Sequence, residues 1–489
     1  MTSRPVRLVY PHQLFVDHLD APAGTVFVLV EDDLFFRQYR FHVQKLILHR
    51  ASMRRFADRL RAASYVVEVI ETDSGSPSGE RLAALLTRLR PRAVSVYDVV
   101  DDWLSRDLRA ALADAGVDPT LLEVLESPNF LTTRAQVSDW FGSHPARMQH
   151  FYSWQRQRLG ILVDGDQPVG GQWSYDAENR KKLPRRHPVP EVPWPERHAA
   201  VDEAIAWVTD AFPDNPGSAA SFHWPTSHDE ADASYASFLT ERFSQFGPYE
   251  DAISAEHPFL FHSVITPALN IGLLSPADVV DRALEAADGV DLPSLEGFIR
   301  QVIGWREYMR ATYVLFGRRM RSMNRLRHTR PLDPGWWTAS TGLPPVDLVV
   351  ERVLQHGYSH HIERLMVAGN AMCLLRTEPG AVHEWFMEMY VDAYDWVMVP
   401  NVYAMSQFAA GEAITTKPYV SGSNYLRKMS DLPKGDWTDD WDGLYWTFVR
   451  DHREVFEANF RSKMMTKMYD SLAPEKKAAH TRAAARWLD

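Results

Sequence analysis

TVFVLV at 25–30, FHVQKLILHRASMRRFADRLRAA at 41–63 and YVVEVI at 65–70 decide the fold of the first part of the chain. The two outer runs are continuous, apolar and rich in β-branched residues, as strands buried on both faces require. The middle run repeats apolar side chains at three- and four-residue spacing, the period of a helix lying on a sheet. The same rhythm extends outward to RLVY at 7–10 and AVSVYDVV at 93–100, with SGERLAALLTRLR at 78–90 as a second covering helix. An α/β domain with a Rossmann-like parallel sheet is therefore expected over residues 1–135.

From about residue 164 the text changes to DGDQPVGGQWSYDAENRKKLPRRHPVPEVPWPER, where Pro and Gly interrupt regular structure around a basic cluster. A connector carrying a basic loop is expected over 136–200. After it nearly every stretch reads as helix, including SLEGFIRQVIGWREYMRATYVLF and VDLVVERVLQHGYSHHIERLMVAGNAMCLL, so a large all-α domain is expected over 201–489.

The 489 residues are 45% hydrophobic and 24% charged, enough for two or three domains. The single cysteine, Cys373, excludes an intrachain disulfide framework and any cluster held by several thiolates of one chain. The N-terminal run MTSRPVRLVYPHQLF lacks the apolar core of a signal peptide, and no segment has the uninterrupted apolar length of a membrane helix. A cytoplasmic protein with no membrane partner is expected. A formal charge of −11 excludes a histone-like coat protein, yet Arg180, Lys181, Lys182, Arg185 and Arg186 form one basic run and Arg318, Arg319, Arg321, Arg325, Arg327 and Arg330 another. Each run reads equally well as a solvated face or as a phosphate contact, and two of them in an acidic chain favour the contact.

The densest polar group is GYSHHIERLMVAGN at 357–370. His356 and His360 stand one helical turn apart with Glu363 nearby, the minimal geometry of a metal site, but there is no HExxH order and no second matching motif. No metal is expected. Within a helical bundle such histidines are ordinarily satisfied by internal hydrogen bonds, and the neighbouring Trp336, Trp337, Trp385 and Trp396 are ordinarily core. No GxGxxG, GxxxxGK[ST] or GxSxG occurs, and Cys373 sits in the apolar run AMCLL, so dinucleotide-fingerprint, phosphate-loop and common hydrolase chemistry are unsupported.

Six motifs in order carry a resemblance. FGPYEDA at 246–252, FLFHSVITPALNIGLLSP at 259–276, FIRQVIGWREY at 298–308, TGLPPVD at 341–347, GYSHHIERLMVAGN and NVYAMSQFA at 401–409 resemble flavin-binding motifs of the photolyase and cryptochrome superfamily, in its bacterial (6-4) photolyase branch. GGQWSYDAENRKKLP at 170–184 resembles the interdomain segment of that branch, and FHVQKLILHRASMRRFADRL a helix of its antenna domain. The resemblance covers nearly the whole chain.

It implies FAD, held by Tyr249, His262, Ser263, Thr266, Asn270, Gln301, Trp305 and Arg306, with Arg364 and either Asp392 or Asp395 beside the isoalloxazine and Asn401 facing flavin N5. His360 and His361 match the paired histidines of (6-4) enzymes, one of which is the catalytic acid. Trp385 and Trp337 match the photoreduction chain, while Phe386 stands where a relative has a redox-active tyrosine. The basic run from 180 to 186 would grip DNA.

Two departures qualify the resemblance. The iron–sulfur cluster of the branch needs four cysteines, several of them between an MSD and an LYW motif; here that stretch reads MSDLPKGDWTDDWDGLYW, so no cluster is expected. Trp437 and Trp441, with the neighbouring Asp residues, are expected to fill the space by packing and capping. Relatives with a lumazine antenna carry an acid before Gln-Leu, whereas this chain has His12 before Gln13 and Leu14. Phe35, Phe36 and Tyr39 are left either to stack on a second chromophore or to fill its pocket.

The function implied is light-driven repair of (6-4) photoproducts by an electron from excited reduced FAD, with UV-damaged DNA as partner and the protein acting as a monomer. The alternative is a cryptochrome-type photoreceptor, which the same pocket motifs would serve. Retained histidines and available basic segments favour repair.

Overall fold

The computed structural model describes residues 4–489; the first three residues of the domain expected at 1–135 lie outside the described residues. Five short strands, β1 (Pro5–Val9), β2 (Val26–Val30), β3 (Val66–Ile70), β4 (Ala93–Tyr97) and β5 (Leu122–Leu125), form one parallel sheet in the order β3-β2-β1-β4-β5. Val6 pairs with Val26 on one side and with Val94 on the other, so β1 is the centre of the sheet. All of β2 is buried, as its unbroken apolar sequence anticipates. Helices α1 (Val43–Ala62), α2 (Ser78–Leu89) and α3 (Asp102–Asp114) supply the crossovers.

The strand order reverses between β1 and β4, which is where an open α/β sheet forms its ligand crevice. Here the crevice is closed by the chain that leaves β1. His12 Nε2 lies 3.0 Å from the Val99 carbonyl, and the Gln13 side chain donates to the Tyr97 carbonyl at 2.8 Å.

Helix α1 is buried on both sides because it is the layer between the sheet and the helical part. Its Lys45 ammonium donates to the carbonyls of Ala393 (2.7 Å) and Met387 (3.3 Å), and burial lowers its pKa to about 7. His49 Nε2 meets the Tyr394 hydroxyl at 2.7 Å. A buried amine and imidazole survive in this layer because each has a polar partner.

The segment expected as connector is not irregular throughout. It contains α4 (Arg134–Ser143), opened by a Thr133–Gln136 capping box, and α5 (Met148–Leu159); the chain from 172 to 198 then runs with little regular structure. In the helical part, α6 runs Leu292–Ile299, continues through a π-helical stretch, Arg300–Arg306, and ends as Glu307–Arg321. Next come α7 (Pro344–His356), a π-helical stretch Glu363–Gly369 leading into α8 (Asn370–Leu374), α9 (Pro379–Met389), and α10 (Asp395–Val399), which continues as π-helical Pro400–Ser406. Towards the C-terminus lie α11 (Asp436–Asp451), α12 (Lys463–Asp470) and α13 (Pro474–Leu488), with a short helix, Arg453–Glu457, between the first two.

Where relatives would hold a cluster, Trp437 and Trp441 are buried edge to face, 6.3 Å between rings, with Trp441 Nε1 donating to the Ser421 carbonyl at 2.9 Å. The neighbouring acid Asp442 accepts from the Ser423 backbone N–H at 2.8 Å, while the N-cap of α11, Gly435, offers no side-chain cap. Packing thus fills the region, and Asp442 caps the start of the helix Ser423–Met429, whose N-cap Gly422 has no side chain to do so. Gly443 lets α11 and α13 close on each other: a Cβ there would lie 2.7 Å from Ala483 Cβ and 2.9 Å from the His480 carbonyl oxygen.

Candidate functional site

All three π-helical stretches open onto one cavity of about 280 Å³. A π turn is wider than an α turn and tilts side chains off the normal helical rows, which is why such turns are concentrated at functional sites. Gln301, Trp305 and Arg306 come from the first, Arg364 and Leu365 from the second, and Asn401, Met405 and Ser406 from the third. The loop and helix start from 262 to 270 close the cavity with His262, Ser263, Thr266 and Asn270.

Arg364 is the fixed centre. It makes two parallel bonds to Asp392, at 2.9 and 3.0 Å, and a third to the Ser359 carbonyl at 2.7 Å, with its guanidinium 4.2 Å from the Tyr390 ring. The Asn270 amide donates to the Asp392 carbonyl at 2.9 Å, tying a second segment to the same acid. Of the two acids the sequence left open, Asp392 lines the cavity. Asp395 lies off it, accepting from Tyr313 at 2.7 Å, paired with Arg321, and 3.3 Å from His383 Nε2.

The adjacent histidines divide in the same way. His361 lines the cavity and is exposed. Desolvation by the cavity walls, reinforced by the Arg364 charge, lowers its pKa to about 4. His360 is wholly buried, stacked on His262 at 4.6 Å with the planes 11° apart, and its Nε2 is 3.6 Å from Glu363. Glu363 is in turn paired with buried Arg352. Burial and the neighbouring imidazole and guanidinium hold His360 well below the ordinary histidine range, so it is a neutral packing partner.

Tyr249 is not part of the lining; it packs between His187 (4.9 Å) and Phe261 (5.4 Å). Its neighbours Glu250 and Asp251 are in the lining instead, and burial raises them to about 7 and about 6 against the pull of Arg300 and Arg180 respectively. Gln301 donates to Glu250 at 2.6 Å. Arg306 reaches out of the cavity to Asn129, its guanidinium between the rings of Phe130 (4.6 Å) and Trp396 (5.0 Å). Glu250, Asp251 and Tyr358 escaped the sequence reading, while Trp396, ordinarily core, lines the cavity. The first two stand within the quoted FGPYEDA motif, but only burial separates them from surface acids.

Trp385 is fully buried, edge to face with Trp336 at 5.4 Å, and donates to its carbonyl at 2.9 Å. Trp337, the expected partner, turns instead to Glu388, donating at 2.8 Å. Phe386 lines the cavity and stacks on Tyr390 at 5.4 Å. The basic loop is exposed at Lys181, Lys182, Arg185 and Arg186, whereas Arg180 is held by Asp176 and lies 3.7 Å from Asp251.

The expected second-chromophore residues pack against one another. His12, Gln13, Phe35 and Phe36 are buried, His12 lies 4.9 Å from Phe35, and His49 and Tyr394 complete the packing. Among the described residues no group of His, Cys, Asp and Glu has the geometry to hold a metal ion, and no helix is long and apolar enough to cross a membrane.

A family model described as deoxyribodipyrimidine photo-lyase-related protein matches residues 7–224. The chain is 35% identical to a (6-4) photolyase of Agrobacterium fabrum over 443 residues, 86% of this chain and 85% of that one. It is similar to a crystal structure of a bacterial class III photolyase from Agrobacterium tumefaciens, with a TM-score of 0.61, 18% identity and coverage of 100% and 98% of the two chains. A Synechocystis cryptochrome also matches in fold, with a TM-score of 0.61, 14% identity and coverage of 98% and 94%.

Proposed function

This chain belongs to the photolyase and cryptochrome superfamily, in its bacterial (6-4) photolyase branch, and from that premise we propose that it repairs (6-4) photoproducts in UV-damaged DNA under blue light with FAD as its cofactor. The observation that carries the reading is His361, an accessible imidazole in the same cleft as the Arg364–Asp392 pair.

The cavity suits FAD. His262 Nε2 and Arg306 Nε are buried without a hydrogen-bond partner among the described residues, as donors or acceptors awaiting a polar ligand are. Asn401 commits its amide N–H to the Val397 carbonyl at 2.8 Å, which leaves its oxygen free to accept. Ser263, Thr266, Asn270 and Gln301 would hold the polar parts, while Arg364, Asp392 and Asn401 would lie against the ring system. The chemistry FAD supplies when bound is a light-driven electron lent to the lesion and returned.

The chain's own residues do the rest. A lesion flipped into the cleft is sheltered by Tyr358, Trp305 and Trp396 and stacks on their faces. His361 is uncharged at neutral pH because its pKa lies near 4. His361 would serve as the proton donor to the bound lesion. Arg364 orients the site without adding net charge, since Asp392 neutralises it.

The test is an absorption spectrum of the purified protein followed by blue-light treatment of oligonucleotides carrying a (6-4) photoproduct. Flavin with light-dependent repair is the expected result. Flavin without repair of this or any other lesion replaces the enzyme with a cryptochrome-type photoreceptor, and no flavin overturns the reading.

A further inference from the structure

Hydrophobic side chains left in water are few on this molecule, and three of the most exposed stand together. Phe460 is 81% exposed, Met464 57% and Met468 44%. Their spacing of four residues puts Met464 and Met468 on one face of α12, with Phe460 in the turn leading into it. An apolar stripe of this kind, on a surface where the rest of the chain buries its large side chains, marks a contact surface.

Its flanks identify the partner. Arg461, Lys463 and Lys467 are exposed around the stripe and pair with no carboxylate among the described residues; Lys463 Nζ sits 4.6 Å from the Phe460 ring. The nearby acids are already neutralised, since Arg453 holds Glu457 at 2.9 Å and Asp470 at 2.5 Å. In a chain of formal charge −11, three unpaired cations framing an aromatic ring and two thioethers fit a polyanion with flat apolar faces inside it.

Hydrogen bonds tie the segment before the stripe towards the cavity's third π-helical stretch. Asn459, next to Phe460, donates its side chain to the Thr416 carbonyl, and Thr415 is bonded to the Ala404 carbonyl at 3.0 Å within the cavity-lining π turn. Tyr419, in the same segment, lies within electrostatic reach of Arg461 on one side and of Asp176 and Arg180 of the basic connector on the other.

Resting on the repair reading, we propose that Phe460, with Met464 and Met468 behind it, is an apolar wedge that enters the base stack of a damaged duplex beside the lesion, while Arg461, Lys463 and Lys467 hold the adjoining phosphates. Extruding a nucleotide into the cleft leaves a gap in the stack, and proteins that kink DNA fill such gaps with apolar side chains. The basic connector grips the same duplex from the other side of Tyr419.

The experiment compares flavin-loaded wild type with Phe460→Ala and with Arg461→Gln/Lys463→Gln/Lys467→Gln. The probe is a fluorescent duplex carrying one (6-4) photoproduct with 2-aminopurine beside it, alongside its undamaged twin. All substituted side chains are exposed, so flavin content and melting temperature should match wild type. Phe460→Ala is expected to weaken binding of the damaged duplex about tenfold with an unchanged salt slope, and to lose the 2-aminopurine signal of unstacking. The triple variant is expected to keep that signal at low salt and to show a shallower salt dependence. Wild-type binding that Phe460→Ala leaves intact overturns the wedge and leaves the repair reading standing. Wild-type protein that binds neither duplex overturns both. A wild-type dimer that Phe460→Ala converts to monomer assigns the stripe to a second copy of the chain and overturns the wedge.

Discussion

His360 lies face to face with His262, ring centres 4.6 Å apart and planes within 11°, and this stack leaves His361 alone to face the cleft. Two neighbouring residues of one type therefore have opposite duties. His361→Asn should lower repair at least about 100-fold while flavin content and stability stay at wild-type values. His360→Ala removes a fully buried ring and should cost about 3 kcal/mol, with loss of flavin on purification. Repair assays, flavin absorbance and thermal melts separate the two; equal loss of repair with full stability in both variants would refute the division.

His18 offers a test of how burial sets the acid limit of the fold. Burial, and then the Arg7 charge, lowers its pKa to about 3, against about 6.5 in an unfolded chain. The unfolded state therefore takes up a proton that the folded state refuses. Nothing is lost above about pH 6.5; below it stability falls by about 1.4 kcal/mol per pH unit for this one residue until the folded group titrates. His18→Asn should make the plot of unfolding free energy against pH shallower by about one proton between pH 6 and 4, measured by denaturant unfolding at each pH.

Electron supply to the cavity should follow contact and not sequence position. Trp385 touches Trp336, while Trp337 is hydrogen-bonded to Glu388. Photoreduction of bound flavin in the presence of an external thiol should be slow in Trp385→Phe and in Trp336→Phe, and near wild type in Trp337→Phe. Repair by chemically reduced protein should survive in all three.

The basic connector should act through charge alone. Replacing Lys181, Lys182, Arg185 and Arg186 by Gln should weaken damaged and undamaged DNA alike and reduce the salt slope by about one unit for each phosphate contact removed. Arg180→Gln should behave differently, because Arg180 is bound to Asp176 and lies near Asp251. Loosening of the connector, seen as faster proteolysis around residue 180, is its expected signature.

The parallel sheet was legible because its strands are buried on both faces, which leaves unbroken runs such as TVFVLV in the sequence. Most of the polar residues of the cavity lining could be placed from motif resemblance, including Arg364, Asn270 and Asn401. What could not be read was orientation. Neighbouring residues on a helix point about 100° apart, so His360 and His361, or Trp336 and Trp337, are interchangeable until packing fixes the helix rotation. Helices α4 and α5 were hidden for a related reason: HFYSWQRQR mixes aromatic and charged residues on every face because several neighbours surround it. The crevice plug, His12 and Gln13, depends on backbone carbonyls of β4 and its exit, which no side-chain pattern records.

The π turn in α6 also has an evolutionary consequence. Such a turn holds one residue more than an α turn over about the same rotation, so it absorbs the extra residue within Arg300–Arg306 and the helix beyond keeps its phase. Beyond it lie Arg310, bonded to Asp98 (3.3 Å) and to the Thr132 carbonyl (2.8 Å), and Tyr313, which accepts from the Asp102 N–H at 3.0 Å. The residue that widens the cavity wall is thus absorbed where it stands, whereas one inserted without a π turn would rotate the seam between sheet and helical parts by about 100°.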